Sequence, residues 1–404
     1  MTVIEQSYRG STLRLLLLMV GLFAVGTNAF VIAGLLPRIA DGLGASQASV
    51  SYTITIYAVL VAVASPAVAI VLARVSRAGL MASGALLFTV GVVVAALSTS
   101  LTWFVIARVI AAFGGAALVP TASAVAATIV APERRGRALA FVGAGFTLAV
   151  AIGSPLGTAL GSAAGWRAPM WLLVGIGALV TVLIPVAFRG MPRPAPVSLR
   201  ARVRPLSDLR VIAALGGVLF ATASFNIVYI FSAQVLHRAT GGSGTLLAVL
   251  LLVYGGAGVL GNVFAGRITD RYGSRASAAV ALIVQAVALV AVAFFEWSYP
   301  LCLLLFVVWG VVVAGLTIPM QHRLVSIDPA NAQQTMAWFS TAMYLGIAIA
   351  PPLGNAAIGL GGPWLVPIAG AVVSVLALGL FLLGFATRRM SAVATHGIPT
   401  TVEP

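Results

Sequence analysis

The stretch "RGMPRPAPVSLRARVRPLSDLR" (Arg189–Arg210) is a long polar break in a chain that is otherwise apolar almost end to end. It holds six Arg and four Pro, a composition that suits a cytoplasmic linker lying against anionic headgroups. Before it run apolar segments at 14–36, 48–72, 79–98, 101–125, 138–160 and 168–188. After it run 211–233, 245–266, 276–295, 299–320, 333–357 and 364–387. About 20 apolar residues cross a bilayer core, so each segment is long enough. The expected fold is an all-α membrane protein with twelve transmembrane helices in two six-helix pseudo-symmetric bundles. Residues 1–188 form the first bundle, 189–210 the basic linker, 211–389 the second bundle and 390–404 a disordered cytoplasmic tail.

Composition agrees with a lipid-embedded chain. Of 404 residues, 61% are hydrophobic and 8% are charged, where a soluble domain carries about 25% charge to face water. The net charge of +15 comes from 23 basic residues, all of them Arg. In a soluble protein that balance would point to nucleic acid. Here the Arg residues cluster between apolar runs, so no nucleic-acid partner is expected. Sorting them by loop puts nineteen on the side of the N-terminus, three opposite (Arg38, Arg167 and Arg238) and one, Arg108, inside a span. By the positive-inside rule both termini lie in the cytoplasm. The first apolar run leads into further spans without a small-residue cleavage site, so it reads as a helix rather than a removed signal.

Little in the sequence serves catalysis. The single Cys302 allows no intrachain disulfide. There is no phosphate-binding Gly loop, metal-ligand cluster or nucleophile triad, and three His and eight acidic residues leave an enzyme little to work with. No cofactor is expected. Instead the halves show weak internal symmetry. "ARVSRAGL" (Ala73–Leu80) after the second run matches "AGRITDRYGSR" (Ala265–Arg275) after the eighth, and "GSPLG" (Gly153–Gly157) matches "APPLG" (Ala350–Gly354). Six-plus-six repeats with a site between them describe a secondary transporter.

"GRITDRYGSR" (Gly266–Arg275) resembles the signature loop of the major facilitator superfamily, and the resemblance covers nearly the whole chain. It implies gating and structural roles for Gly266, Asp270, Arg271, Gly273 and Arg275, with Gly266 and Gly273 permitting a tight turn and Asp270 capping or pairing. The first copy keeps Arg74 and Arg77 but has Ala73 in place of Asp and Ser76 in place of Gly, which implies a looser latch in the first half. "ARVIAAFGG" (Ala107–Gly115) resembles the motif with a buried Arg, and "GFTLAVAIGSPLG" (Gly145–Gly157) resembles the antiporter motif, giving Gly153, Pro155 and Gly157 close-approach and kinking roles. "FVIAGLLPRIADGLGAS" (Phe30–Ser46), "PERRGRALA" (Pro132–Ala140) and "LLVYGGAGVLGNVFAGRITDR" (Leu251–Arg271) are similar to the twelve-span drug:proton antiporter branch. The resemblance implies a bacterial inner-membrane exporter, monomeric, with a small-molecule substrate, lipid around it and the proton as coupling ion.

One departure bears on mechanism. That branch usually reads Gly-Thr-x-Glu-Phe in its first helix, where this chain has Gly26-Thr27-Asn28-Ala29-Phe30, in an apolar run expected to end at Pro37-Arg38. All eight acidic residues fall in tails, loops or helix ends. A mid-membrane carboxylate is the usual means of coupling a proton to a cationic drug, since burial raises its pKa. Arg108 remains the one charge within a span, costing about 2.5–3.5 kcal/mol unless partnered. At about 1.5 Å per residue its depth nearly coincides with that of Asn28, and the Asn28 side-chain oxygen is the expected partner. A purely structural Arg108, held by backbone carbonyls and water, is the alternative. Candidate proton carriers are Asp41, otherwise a loop cap, and His322, otherwise a solvated interfacial residue.

The expected substrate site comprises Asn28, Tyr57, Arg108, Phe146, Phe225, Asn226, Tyr229, Tyr254, Trp338 and Tyr344. Phe225 and Tyr229 are four apart and share a helix face. Apolar walls with a few polar handles suit a small amphipathic molecule, and an incompletely neutralised Arg108 favours a neutral or anionic one. Ordinary interhelical packing is the alternative for each ring. Exporting a specific sugar or nucleoside, with or without coupling, is the other transporter reading.

Overall fold

The computed structural model describes residues 3–72, 75–189 and 202–395. Among them are helices only, eleven of which are long and apolar enough to cross a membrane. They are α1 (Val3–Leu43), α2 (Gln47–Val71), α3 (Arg77–Leu97), α4 (Leu101–Ala126), α5 (Arg135–Ala164), α6 (Arg167–Ala187), α7 (Leu209–Ile230), α8 (Gly244–Phe295), α9 (Tyr299–Ile327), α10 (Ala332–Gly361) and α11 (Leu365–Thr395). The last helix continues into the stretch expected to be a tail, and most of the linker and Arg74 lie outside the described residues.

Two boundaries differ from the sequence reading for physical reasons. First, α1 does not stop at Pro37 but carries it inside and ends at Leu43, followed by Gly44 at φ 60°. Apolar surroundings tolerate such a proline because neighbours re-satisfy the freed carbonyl. Second, 245–266 and 276–295 fall on one 52-residue helix, α8, about 78 Å long if straight. That is over twice a bilayer core, and the helix breaks at Gly273 (φ 78°, ψ 157°) into two arms. In α5, where a kink was expected, a π turn occupies Ala149–Gly153 just before Pro155. The Ser154 amide donates to the Ala149 carbonyl, one residue further back than in an α-helix.

The helix ends gather at two faces. At the Arg-poor end Arg167 Nη2 donates to the Ser98 carbonyl (2.7 Å), Arg38 Nη2 to Ser162 Oγ (3.1 Å) and Arg238 Nη1 to Glu296 (3.4 Å). The Arg-rich end holds Arg77, Arg134, Arg135, Arg210, Arg271 and Arg275. The halves before and after the linker meet chiefly toward the Arg-poor end. There α2 packs on α10, and the part of α5 from Ala149 onward packs on the start of α8. Asn355 Nδ2 donates to Ser51 Oγ (2.9 Å) and Thr55 Oγ1 to the Ala348 carbonyl (2.8 Å), while Gln234 donates to Gln47.

Toward the Arg-rich end the halves part. The second half has a separate core there, with Val211, Leu215, Leu316, Met320, Phe339 and Phe381 among its members. On α5, Leu139 and Phe141 are exposed and a Cβ on Gly143 would meet no other helix within 4 Å. The periphery is apolar, with Val63, Val182, Val263 and Phe294 each 60% or more exposed. Lipid, unlike water, has no cost for such a surface.

Candidate functional site

Glycines bring α1 and α5 together and so fix what faces the middle. A Cβ on Gly153 would sit 2.1 Å from Thr27 Oγ1, and one on Gly157 2.4 Å from a Val31 methyl. α5 therefore lies against the α1 face bearing Thr27 and Val31, and both helices present their next faces to the centre.

At that centre is a small chamber lined by both halves: Phe30 from α1, Tyr57 from α2, Arg108 from α4, Asn226 and Tyr229 from α7 and Tyr344 from α10. Arg108 is 1% exposed. Its Nη1 donates to the Asn28 carbonyl (3.2 Å), and its guanidinium lies 4.1 Å over the Tyr57 ring, the geometry of a cation–π contact. Its Nε and Nη2 have no hydrogen-bond partner within the protein. The structure thus joins Arg108 to Asn28 through the backbone carbonyl and not the side-chain oxygen. A helical carbonyl keeps a second lone pair for such a donor. The Asn28 Nδ2 is likewise buried without a partner.

Next to the chamber stands a continuous wall of six rings. Phe225 stacks on Tyr254 with centroids 5.8 Å apart and planes 4° apart, and Tyr254 meets Trp309 at 4.7 Å. Phe306 meets Trp309 at 5.1 Å, and Tyr229 meets Phe30 at 5.7 Å. The Tyr229 hydroxyl donates to Ser154 Oγ (2.9 Å), which donates to the Phe30 carbonyl (3.3 Å), tying α7 to α5 and α1. Of these residues the sequence reading missed Phe30, Phe306, Trp309 and Ser154. The spacing Phe306/Trp309 on one face of α9 was the available signal.

Several expected residues lie elsewhere. Trp338 is at the Arg-rich end, donating to the Arg202 carbonyl (2.8 Å) and packed on the second half's own core. Phe146 packs on α1, its ring 2.9 Å from where a Gly26 Cβ would be. Phe225 and Tyr254 stand in the wall behind the lining residues. Asp41 is exposed in the last turn of α1, and His322 is exposed near the end of α9, so neither candidate proton carrier reaches the chamber. Among the described residues no acidic side chain lines it. The free space is about 10 Å³, room for about one water, so the chamber is closed rather than drug-sized in this conformation.

In the signature loop only Gly273 makes the turn. Gly266 is helical with nothing near it, and Asp270 is exposed on the first arm of α8. Arg271 lies 5.4 Å over the Tyr272 ring and Arg275 5.8 Å over that of Phe385. In the first-half copy Arg77 Nη1 donates to Thr128 Oγ1 (3.3 Å), while Ser76 caps α3 by accepting from the Gly79 amide (3.1 Å).

Two helical half-molecules, an apolar belt and a buried cation in a closed chamber between them define a multi-pass membrane transporter. The chain belongs to the Major Facilitator Superfamily, whose family model matches residues 18–329 and 213–399. The uncharacterized MFS-type transporter YbcL of Bacillus subtilis (strain 168) is 27% identical over 345 residues, 85% of this chain and 88% of that protein. Two crystal structures of a bacterial homolog to the human lysosomal transporter Spinster, inward-facing and either unoccupied or occupied, share 17% identity. Their TM-scores are 0.71 and 0.75, over 93% and 92% of this chain and 96% of each of theirs. At that identity the likeness is one of fold.

Proposed function

We propose that this protein is a twelve-span secondary transporter that exports a small amphipathic, neutral or anionic compound of drug or antibiotic type by alternating access, in exchange for protons. The two arms of α8 serve as separate spans, which gives six helices on each side of the linker. Both termini then face the cytoplasm of a bacterium, because the Arg-rich end is the cytoplasmic one. The contacts between halves gather at the opposite end, so the conformation is closed outward and parted inward. The protein acts as a monomer.

The observation that carries this reading is the charge of the chamber, where Arg108 is the one charged lining residue among those described. A lipophilic cation entering it meets like charge at low dielectric, whereas a neutral or anionic molecule does not. The test is an accumulation and resistance screen across cationic, neutral and anionic compounds in cells making the protein, with Arg108→Ala as control. Export of anionic or neutral compounds that Arg108→Ala abolishes at normal expression is the expected result. Export of cations alone, or export indifferent to Arg108→Ala, overturns it.

A second reading, facilitated export without proton coupling, is favoured by the exposure of Asp41 and His322 away from the chamber. Collapsing the proton gradient in loaded vesicles separates the two. Coupled export stops, and uncoupled export continues down the substrate gradient.

A further inference from the structure

The unsatisfied part of Arg108 has a shape. Its Nη1 is occupied by the Asn28 carbonyl and one face by the Tyr57 ring. What remains without a partner is the Nε and Nη2 pair. In a guanidinium these two N–H groups share one edge and point the same way, spaced to meet both oxygens of a carboxylate. A buried, half-used guanidinium lining a cavity is an unfilled demand for an acceptor pair, because an unmade hydrogen bond to a charged group carries its full desolvation penalty.

Beside Arg108 and Asn226 the lining is apolar, made of alanines, isoleucines and four aromatic rings. Phe30, Tyr57, Tyr229 and Tyr344 supply rings to the same chamber. We propose that the transport site takes an aromatic monocarboxylate. Its carboxylate sits on the Nε/Nη2 edge of Arg108, and its ring lies among Phe30, Tyr229 and Tyr344. This rests on the transporter reading above and narrows its substrate class.

Charge arithmetic selects against the other classes. A phosphate dianion brings two charges to a chamber with one cation and would bury the excess. An amine meets Arg108 as a like charge. A carboxamide of the same shape offers one acceptor, leaving a donor of the edge unmade, and a site built around a buried polar group rejects the analogue that cannot satisfy it. The chamber has room for about one water as it stands, so the substrate enters when the halves part. The groups that receive it are already held in place by Asn28 and Tyr57.

The test is isothermal titration of the purified full-length protein in detergent with 3-phenylpropionate, 3-phenylpropionamide and 2-phenylethylamine. Benzoate and phenylacetate cover shorter acids. At least one acid binds, more than about tenfold tighter than the amide, and the amine does not bind. Arg108→Gln brings acid and amide to the same level, while Arg108→Lys, which keeps the charge without the two-pronged edge, recovers part of the preference. Thermal melting of the ligand-free variants shows that they are folded. Equal binding of acid and amide, or an acid preference that survives Arg108→Gln, overturns the proposal. Binding and vesicle counterflow of the amide alone also overturn it while leaving the transporter reading standing. If none of the probes binds, the proposal falls, and the compound screen above judges the transporter reading separately.

Discussion

Tyr57 stands ten residues after Gln47, where α2 begins, and Tyr254 stands ten after Gly244, where α8 begins. The two tyrosines hold matched places in the two halves, yet their neighbours differ in kind. Over Tyr57 lies the Arg108 guanidinium at 4.1 Å, and against Tyr254 lies the Trp309 ring at 4.7 Å. The backbone explains why. In the second half Gly310 brings α9 so close to α8 that an added Cβ would lie 2.2 Å from the Tyr254 carbonyl oxygen, and one on Gly261 would lie 2.0 Å from that of Val311. In the first half the tight crossing is instead between α3 and α4, where a Cβ on Gly114 would lie 2.3 Å from the Phe88 nitrogen. By leaning toward α3, α4 leaves a slot beside α2 that a long cation fills. By leaning toward the first arm of α8, α9 closes that slot, and rings fill what remains. One frame thus carries a polar half-site and an apolar half-site, a division that suits the amphipathic substrate proposed above.

The widest difference expected between the halves is in transport. Arg108→Ala removes the chamber's cation and should reduce flux in proteoliposomes more than about a hundredfold, a loss of about 3 kcal/mol or more. Trp309→Ala leaves the cation in place and should weaken binding while retaining flux. Equal losses from the two substitutions would mean that the halves do not divide the work in this way.

How far the sequence carried this division depends on what apolar helices write into a sequence. The apolar runs were legible because length and hydropathy alone determine them, though 245–266 and 276–295 share the single helix α8, and the depth match of Arg108 with Asn28 followed from rise per residue. Rotation was not legible. A helix bathed in lipid is apolar all round and carries no amphipathic stripe to mark its inner face. For that reason Trp338 seemed as good a lining residue as Tyr344, six residues away on the same helix, and Trp309 and Phe306 were passed over. The choice of the Asn28 carbonyl over its side-chain oxygen was also hidden, since a backbone acceptor looks the same at every residue. Pro37 inside α1 misled for a related reason, because rules for helix ends learned in water assume that water takes up the freed carbonyl.

The second contrast lies in stability. Gly310→Ala drives a methyl into the Tyr254 backbone, which can give way only if α8 and α9 separate, and should cost about 3 kcal/mol, the upper part of the overpacking range. Gly115→Ala in α4 meets the Tyr57 hydroxyl at 2.9 Å, the end of a side chain, and should cost about 1 kcal/mol or less. It should act on function instead, by tilting the Tyr57 ring away from Arg108. Thermal midpoints in detergent together with ligand titrations separate the two effects. Gly310→Ala lowers the midpoint, and Gly115→Ala weakens binding.

The smallest effects belong to the paired turns at the Arg-rich end. Gly273 holds φ 78°, ψ 157°, a conformation that side chains reach only under strain of about 1–3 kcal/mol, so Gly273→Ala should destabilise by that much. Among the described residues of the first-half turn none has such a conformation. Ser76 is in extended geometry (φ −61°, ψ 144°) and its hydroxyl accepts from the Gly79 amide. Ser76→Ala therefore loses a helix cap worth about 1 kcal/mol, and Ser76→Gly loses only a few tenths because it leaves the amide open to water. The two turns should rank alanine below glycine alike, but for different reasons. Alanine is the worse replacement for the native residue in each, but glycine is nearly neutral at position 76 and is already required at position 273. If Ser76→Ala proved as harmless as Ser76→Gly in thermal melts, the hydroxyl cap would not be what holds the first turn. The comparison of a capped turn with a left-handed one would then fail.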